Sequence, residues 1–244
     1  MLTPHATPGP ELEFPLLASG CPIVTRVAQI TIDTAPGAGS DPPITASGLR
    51  AHTDRALVDA AADTFRGQPV DAVGYASTTS AYVIGHEAET AMVARLAARL
   101  ALPVAATSAA AVLGLQALDV ERLALVGAPW FDDETTSLGA AYFRSQGFDV
   151  VFSLSAELAQ DPEPAAACEW MLRQVPDEAE AIFIGGNGFR TARAIEPLEQ
   201  ALGRPVLTAN QALLWSLLTH VGAPCDVAGF GRLFAETRGG RRPA

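Results

Sequence analysis

The chain has 244 residues, of which 49% are apolar and only 7% aromatic, and its formal charge is −11. That length suits one large or two small α/β domains. The acidity disfavours nucleic-acid phosphates and anionic membranes as partners, yet a small anion can still be held by local donors.

The chain starts Met1-Leu2-Thr3-Pro4-His5, without the basic-then-apolar order of a secretory signal, and no run approaches the length of a membrane-spanning helix. Cys21, Cys168 and Cys225 are spaced as neither a disulfide framework nor a zinc site, and the histidines show no i, i+4 pair. A cytoplasmic protein without a metal is expected.

Short β-branched runs alternate with alanine-rich runs along the chain. Strands are predicted over 23–32, 72–76, 104–106, 123–127, 150–154, 181–184 and 206–208. Helices are predicted over 53–65, 86–100, 109–115, 132–146, 164–175, 192–202 and 210–220. In the 86–100 segment Met92, Val93, Leu96 and Leu100 form a buried stripe. The Pro/Gly-rich stretch 35–43 reads as a loop or lid and the tail 239–244 as disordered. Alternation of this kind implies parallel, helix-covered sheets, which bind ligands beyond the carboxyl ends of their strands.

Two turns stand at such ends. Ser77-Thr78-Thr79-Ser80 follows the strand at 72–76. Four hydroxyls there suit either a carboxylate or oxyanion site or plain helix capping. Gly185-Gly186-Asn187-Gly188 follows the strand at 181–184. Its glycines permit close approach to a ligand, with Asn187 as a donor, and they equally suit an ordinary strand-to-helix turn.

The stretch Gly74-Tyr75-Ala76-Ser77-Thr78-Thr79-Ser80-Ala81-Tyr82-Val83-Ile84-Gly85 resembles the first active-site segment of maleate isomerases and arylmalonate decarboxylases. Those families belong to the aspartate/glutamate racemase superfamily. The 181–191 stretch, with Ile195-Glu196-Pro197-Leu198-Glu199 and Leu202-Gly203-Arg204-Pro205-Val206, is similar to the second segment. Pro129-Trp130 matches a family Pro-Tyr, and Pro4-His5-Ala6-Thr7-Pro8 stands where the family has Pro-Ser-Ser-Asn-Thr.

The resemblance implies two similar flavodoxin-like α/β halves, 1–117 plus 218–244 and 118–217, related by a pseudo-twofold axis. Each has a parallel sheet, and the active-site cleft lies between them. It also implies chemistry without a cofactor on a small carboxylic acid, and a homo-oligomer is compatible with it. Ser77 then stands where the family has Cys or Gly, Gly186 where it has its second Cys, and Trp130 where it has a Tyr. Thr7, Thr78, Thr79, Trp130, Asn187 and Gly188 form the implied substrate-binding set. Ser77, His5 and Gly186 occupy the catalytic positions.

A serine hydroxyl is far less acidic than a thiol, so Ser77 needs an adjacent base to act, and Gly186 offers backbone only. Racemisation by two thiols is therefore not expected. Decarboxylation, which needs anion binding and one proton donor, is preferred, with His5, Tyr75 and Tyr82 as candidate donors; binding of carboxylates without catalysis is the alternative. His5 also fits an exposed loop, and Arg26 fits either substrate steering or a structural role at a sheet edge.

Overall fold

The computed structural model describes residues 1–4, 8–31, 45–223 and 227–237. The chain order is β1 (Leu2–Thr3), α1 (Pro10–Leu17), β2 (Ala28–Gln29), α2 (Ala46–Ala51), α3 (Arg55–Asp63), β3 (Val73–Tyr75) and α4 (Thr78–Ile84). Then come α5 (His86–Leu100), β4 (Val104–Ala106), α6 (Thr107–Ala117), β5 (Arg122–Gly127), α7 (Asp133–Ser145), β6 (Asp149–Ser155) and α8 (Pro164–Gln174). The chain continues through β7 (Ala181–Ile184), a 3-10 turn (Ala192–Ala194), α9 (Ile195–Leu202), β8 (Val206–Thr208), α10 (Ala209–Val221) and α11 (Arg232–Thr237).

The strands make two four-stranded sheets, ordered β2-β1-β3-β4 and β6-β5-β7-β8. Every pairing is parallel. The order is the same in both: the first strand of each half lies between its second and third. Hence β3 and β7 are equivalent, and the turns that follow them occupy equivalent places.

Burial on both faces explains the strand composition. All four residues of β7 and the stretch Leu123, Ala124, Leu125 and Val126 of β5 are buried. One core joins residues of both halves, and a smaller one, with Leu2, Val58, Val73, Met92 and Leu96, lies under the first sheet. Met92 and Leu96 are therefore core, as the helical stripe predicts.

Caps fix where the helices begin. Asp132 accepts from Thr135 N at 2.8 Å and opens α7; the negative charge suits that end of the helix dipole. Thr208 and Gln211 form a capping box that turns β8 into α10. From there α10 lies along α6 and reaches β4 and β3 of the other half.

Three elements differ from the sequence reading. A strand over 23–32 is reduced to Ala28–Gln29 within the described residues. Residues 10–17 are helical, with Pro10 at the first position and Pro15 inside. The first hydroxyl turn passes at once into α4. The 35–43 loop and the 239–244 tail lie outside the described residues. Cys168 is a free, half-buried thiol, whereas Cys21 is disulfide-bonded. The expectation of unpaired cysteines fails at Cys21, and with it one support for a cytoplasmic setting. Among the described residues no helix is long and apolar enough to cross a membrane.

Candidate active site

The third strand of each sheet delivers one turn, and the two turns meet. Ser77 is extended (φ −156°) and caps α4 by accepting from Ser80 N at 3.2 Å. Its Oγ lies 2.8 Å from Ser80 Oγ and 3.5 Å from Thr79 Oγ1. Tyr75 Oη donates to Ser80 Oγ at 3.1 Å. This is a chain of hydroxyls only. Among the described residues the Ser77 hydroxyl contacts other hydroxyls and the cap N–H, and no imidazole or carboxylate; a nucleophile there would need a base.

Thr78 makes the link between the halves: its Oγ1 accepts from Gly186 N at 3.1 Å. Its own O–H proton stays available to another acceptor. The Thr78 carbonyl accepts from Ser108 Oγ at 3.1 Å, which ties the first turn to α6. Residues 77–80 and 185–188 are all buried.

In the second turn Gly185 N donates to Val126 O at 2.8 Å, extending the sheet by one rung. Gly186 takes φ +99°, and a Cβ there would lie 2.7 Å from Ala128 Cβ. Only glycine fits that backbone without strain. Gly188 O accepts from Gln160 Nε2 at 3.3 Å. Trp130 stands edge-on to both Phe131 and Phe189, with ring centres 6.3 Å apart in each case, as part of an aromatic wall beside the turn.

Asn187 is placed differently from the sequence expectation. Its Nδ2 donates to Thr107 Oγ1 at 3.1 Å and to Asn210 Oδ1 at 2.9 Å. Both amide protons are therefore engaged within the protein, and the side chain holds the turn instead of offering donors to a carboxylate. Asn210 Nδ2 in turn donates to Asn187 O at 2.9 Å and to Glu13 Oε2 at 2.7 Å.

Glu13 is the member of this cluster that the sequence reading missed. It is buried, and it also accepts from Ala192 N at 2.8 Å. Burial pushes its carboxyl up to about 7, against the lowering effect of the Ala192 and Asn210 hydrogen bonds. The available signal was an acidic residue on the apolar face of a helix, since Pro10, Glu13, Phe14 and Leu17 recur at helical spacing and are the buried positions of α1. Glu89 repeats the pattern on α5. It accepts from Tyr142 Oη and from Ala109 N, and burial pushes it up to about 7 as well.

His5 and Thr7 lie outside the described residues. The flanking positions are informative: Leu2 pairs with Tyr75 beside the first turn. Gly9 packs so closely on the second that an added Cβ would lie 1.9 Å from Asn187 O. Arg26 is exposed and donates to Gln68 Oε1 at 2.7 Å, a structural contact away from both turns.

Two cavities lie near these elements, with linings that do not include residues 77–80 or 185–188. One, of about 570 Å³, opens beside Asp71, Ala72 and Val73 at the start of β3. The other, of about 340 Å³, lies outside the second turn against Glu13, Arg190 and Thr191. The turns are in direct contact through Gly186 N and Thr78 Oγ1.

Comparison with known proteins agrees with this architecture. Arylmalonate decarboxylase of Bordetella bronchiseptica is 28% identical over 143 residues, covering 56% of this chain and 59% of that protein. Maleate isomerase of Nocardia farcinica is 29% identical over 158 residues, covering 62% of each. The chain thus spans 59% and 62% of these two curated relatives. The crystal structure of the maleate isomerase Iso from Pseudomonas putida S16 superposes with a TM-score of 0.80 at 21% identity, covering 96% of both chains. Unliganded arylmalonate decarboxylase superposes with a TM-score of 0.76 at 21% identity, over 97% of both. These solved structures share the fold. The arylmalonate decarboxylase family model matches residues 43–234, and the chain belongs to that family.

Proposed function

We propose that the protein is a cofactor-independent lyase or isomerase acting on a small carboxylic acid, with decarboxylation as its chemistry. The carboxylate is held by the hydroxyls of Thr78 and Thr79 and by backbone N–H groups of the two facing turns. The observation that carries this reading is the hydrogen bond from Gly186 N to Thr78 Oγ1 between equivalent turns of the two halves. A carboxylate oxygen arriving there can replace Thr78 Oγ1 as the acceptor for Gly186 N–H while Thr78 turns its own proton to the second oxygen. Paired neutral donors in a dry site favour an anion that gains charge density during reaction. Loss of CO₂ from an activated diacid creates such an anion.

Neither turn carries a cysteine. A maleate isomerase of Nocardia farcinica has been solved with a covalently bound succinylcysteine intermediate, and the two turns here offer no thiol for such an adduct. Decarboxylation is preferred because it needs electrostatic stabilisation and one proton.

The second reading is a carboxylate-binding protein without catalysis. It is favoured by the engagement of Asn187 in internal hydrogen bonds and by the absence of a carboxylate or imidazole among residues 77–80 and 185–188.

Proton NMR in D₂O with aryl- and alkylmalonates, maleate, aspartate and glutamate separates the two. The catalytic reading expects decarboxylation or isomerisation of at least one acid, reduced about 10²–10³-fold by Thr78→Ala, as for removal of one oxyanion donor. Line broadening of the acids without any reaction gives the binding reading instead. Turnover that is indifferent to Thr78→Ala places the chemistry elsewhere.

A further inference from the structure

We propose that Tyr82 is the proton donor of this site, delivering its phenolic proton to the carbanion left when a malonate-type diacid loses CO₂. The inference rests on the decarboxylase reading above and assigns its missing acid.

Tyr82 sits on α4, and its ring crosses from the first half into the second. A Cβ on Gly139 of α7 would lie 2.8 Å from its Cε2, and a Cβ on Gly185 would lie 3.3 Å from its Oη. Two glycines of the second half therefore make room for this one ring. The neighbouring rings of Tyr142 and Phe143, with centres at 5.8 and 6.2 Å, hold it in place. The phenolic oxygen is thus directed at the second turn, next to Gly186.

That oxygen is buried and has no hydrogen-bond partner among the described residues. The hydroxyls of the first turn bond elsewhere: Tyr75 with Ser80 and His52 O, Ser77 with Ser80 and Thr79, and Thr78 with Gly186 N. An unmatched buried hydroxyl opposes folding, and phenylalanine would fill the same space without it. Packing explains the ring; it does not explain the oxygen.

The electrostatics give Tyr82 the acid role. Burial pushes its phenol up, and the Glu89 charge adds to this. It keeps its proton at working pH and is not a base. In the reaction the C–C electron pair moves onto the α-carbon as CO₂ departs, and the remaining carboxylate shares the charge. The Tyr82 O–H bond then breaks as the α-C–H bond forms. The phenolate takes a proton from water after product release, and the hydroxide formed combines with CO₂ as bicarbonate.

The test is Tyr82→Phe, assayed on phenylmalonate and methylmalonate by proton NMR, with melting temperature followed in parallel. The expected result is kcat lowered at least about 100-fold, in the range of a general acid. KM should stay within about twofold, because the ring and the turns are untouched, and the melting temperature should be equal or higher. Tyr142→Phe serves as the control and is expected to keep kcat, since that phenol donates to Glu89 instead. Wild-type turnover in Tyr82→Phe would overturn the assignment and leave the decarboxylase reading standing. So would equal losses of kcat in the two variants, which would mark a packing effect. A wild-type protein that binds both malonates and converts neither would overturn the decarboxylase reading, and the role of Tyr82 with it.

Discussion

Gly186 shows how much one backbone angle decides. By resemblance it stands where the family carries a cysteine, so Gly186→Cys looks like a restoration. At φ +99° an L-residue is strained, and the new Cβ would meet Ala128 Cβ at 2.7 Å. Gly186→Cys is expected to cost about 1–3 kcal/mol of stability, read as a lower melting temperature. Adding Ala128→Gly should recover part of that loss by removing the clash, though not the strain in φ. A single variant that melts with the wild type would show that the turn relaxes freely and that the thiol position is still open. Thr78, Thr79, Asn187 and Gly188 were legible in the sequence as turn residues at strand ends. Their bonding was not: the engagement of both Asn187 amide protons by Thr107 and Asn210 depends on residues 80 and 23 positions away. Glu13 was invisible as a site residue for the same reason, since its partners are Ala192 and Asn210.

Elements with a strong local pattern were read with their observed bounds: β4, β7, β8 and α5 match residue for residue. Those set by tertiary contact were not. The strand β1 has two residues and exists because β2 and β3 flank it. The helix α4 begins Thr-Thr-Ser, a weak helix-forming start, and is held by complete burial of Thr78 through Val83. The glycine inside α7 belongs to the same class. In an exposed helix Gly139→Ala would add up to about 1 kcal/mol through propensity. Here the methyl would stand 2.8 Å from the Tyr82 ring and 3.0 Å from Leu125 Cδ2. That ring cannot swing aside, because Tyr142 and Phe143 pack against it. Gly139→Ala is therefore expected to destabilise by about 1–2 kcal/mol, the usual range for overpacking, and denaturant melts would show it. A stabilised variant would mean that the ring shifts easily and that the two halves are not locked through Tyr82.

The whole molecule is joined at two buried carboxyls. Glu13 fastens α1 to Ala192 in the second half and to Asn210 of α10, while Glu89 on α5 ties Ala109 of α6 to Tyr142 of α7. Burial raises both from the usual 4.5 to about 7. The sign follows from proton counting. Between those values the folded chain keeps protons that the unfolded chain has released, so stability falls as pH rises. The contribution is full below about 4.5, is lost through the window, and is gone above about 7. Asp63, Asp132 and Glu180 are shifted downward and act below this window, where their effect runs the other way; the Met1 ammonium, pushed down to about 5 by burial, opposes the carboxyls within it. Two carboxyls outweigh the one amine, so the melting temperature is expected to be higher at pH 5 than at pH 8. The change should be several degrees, at about 2–4 °C for each kcal/mol in a chain of this size. Glu13→Gln and Glu89→Gln should each flatten the slope, because an amide fills the same space and carries no titration. Calorimetric melts of the three proteins across pH 5–8 decide it. Variants that keep the wild-type slope would mean that both carboxyls are ionised in the folded state. The junctions between the halves would then be held by charge, not by neutral hydrogen bonds.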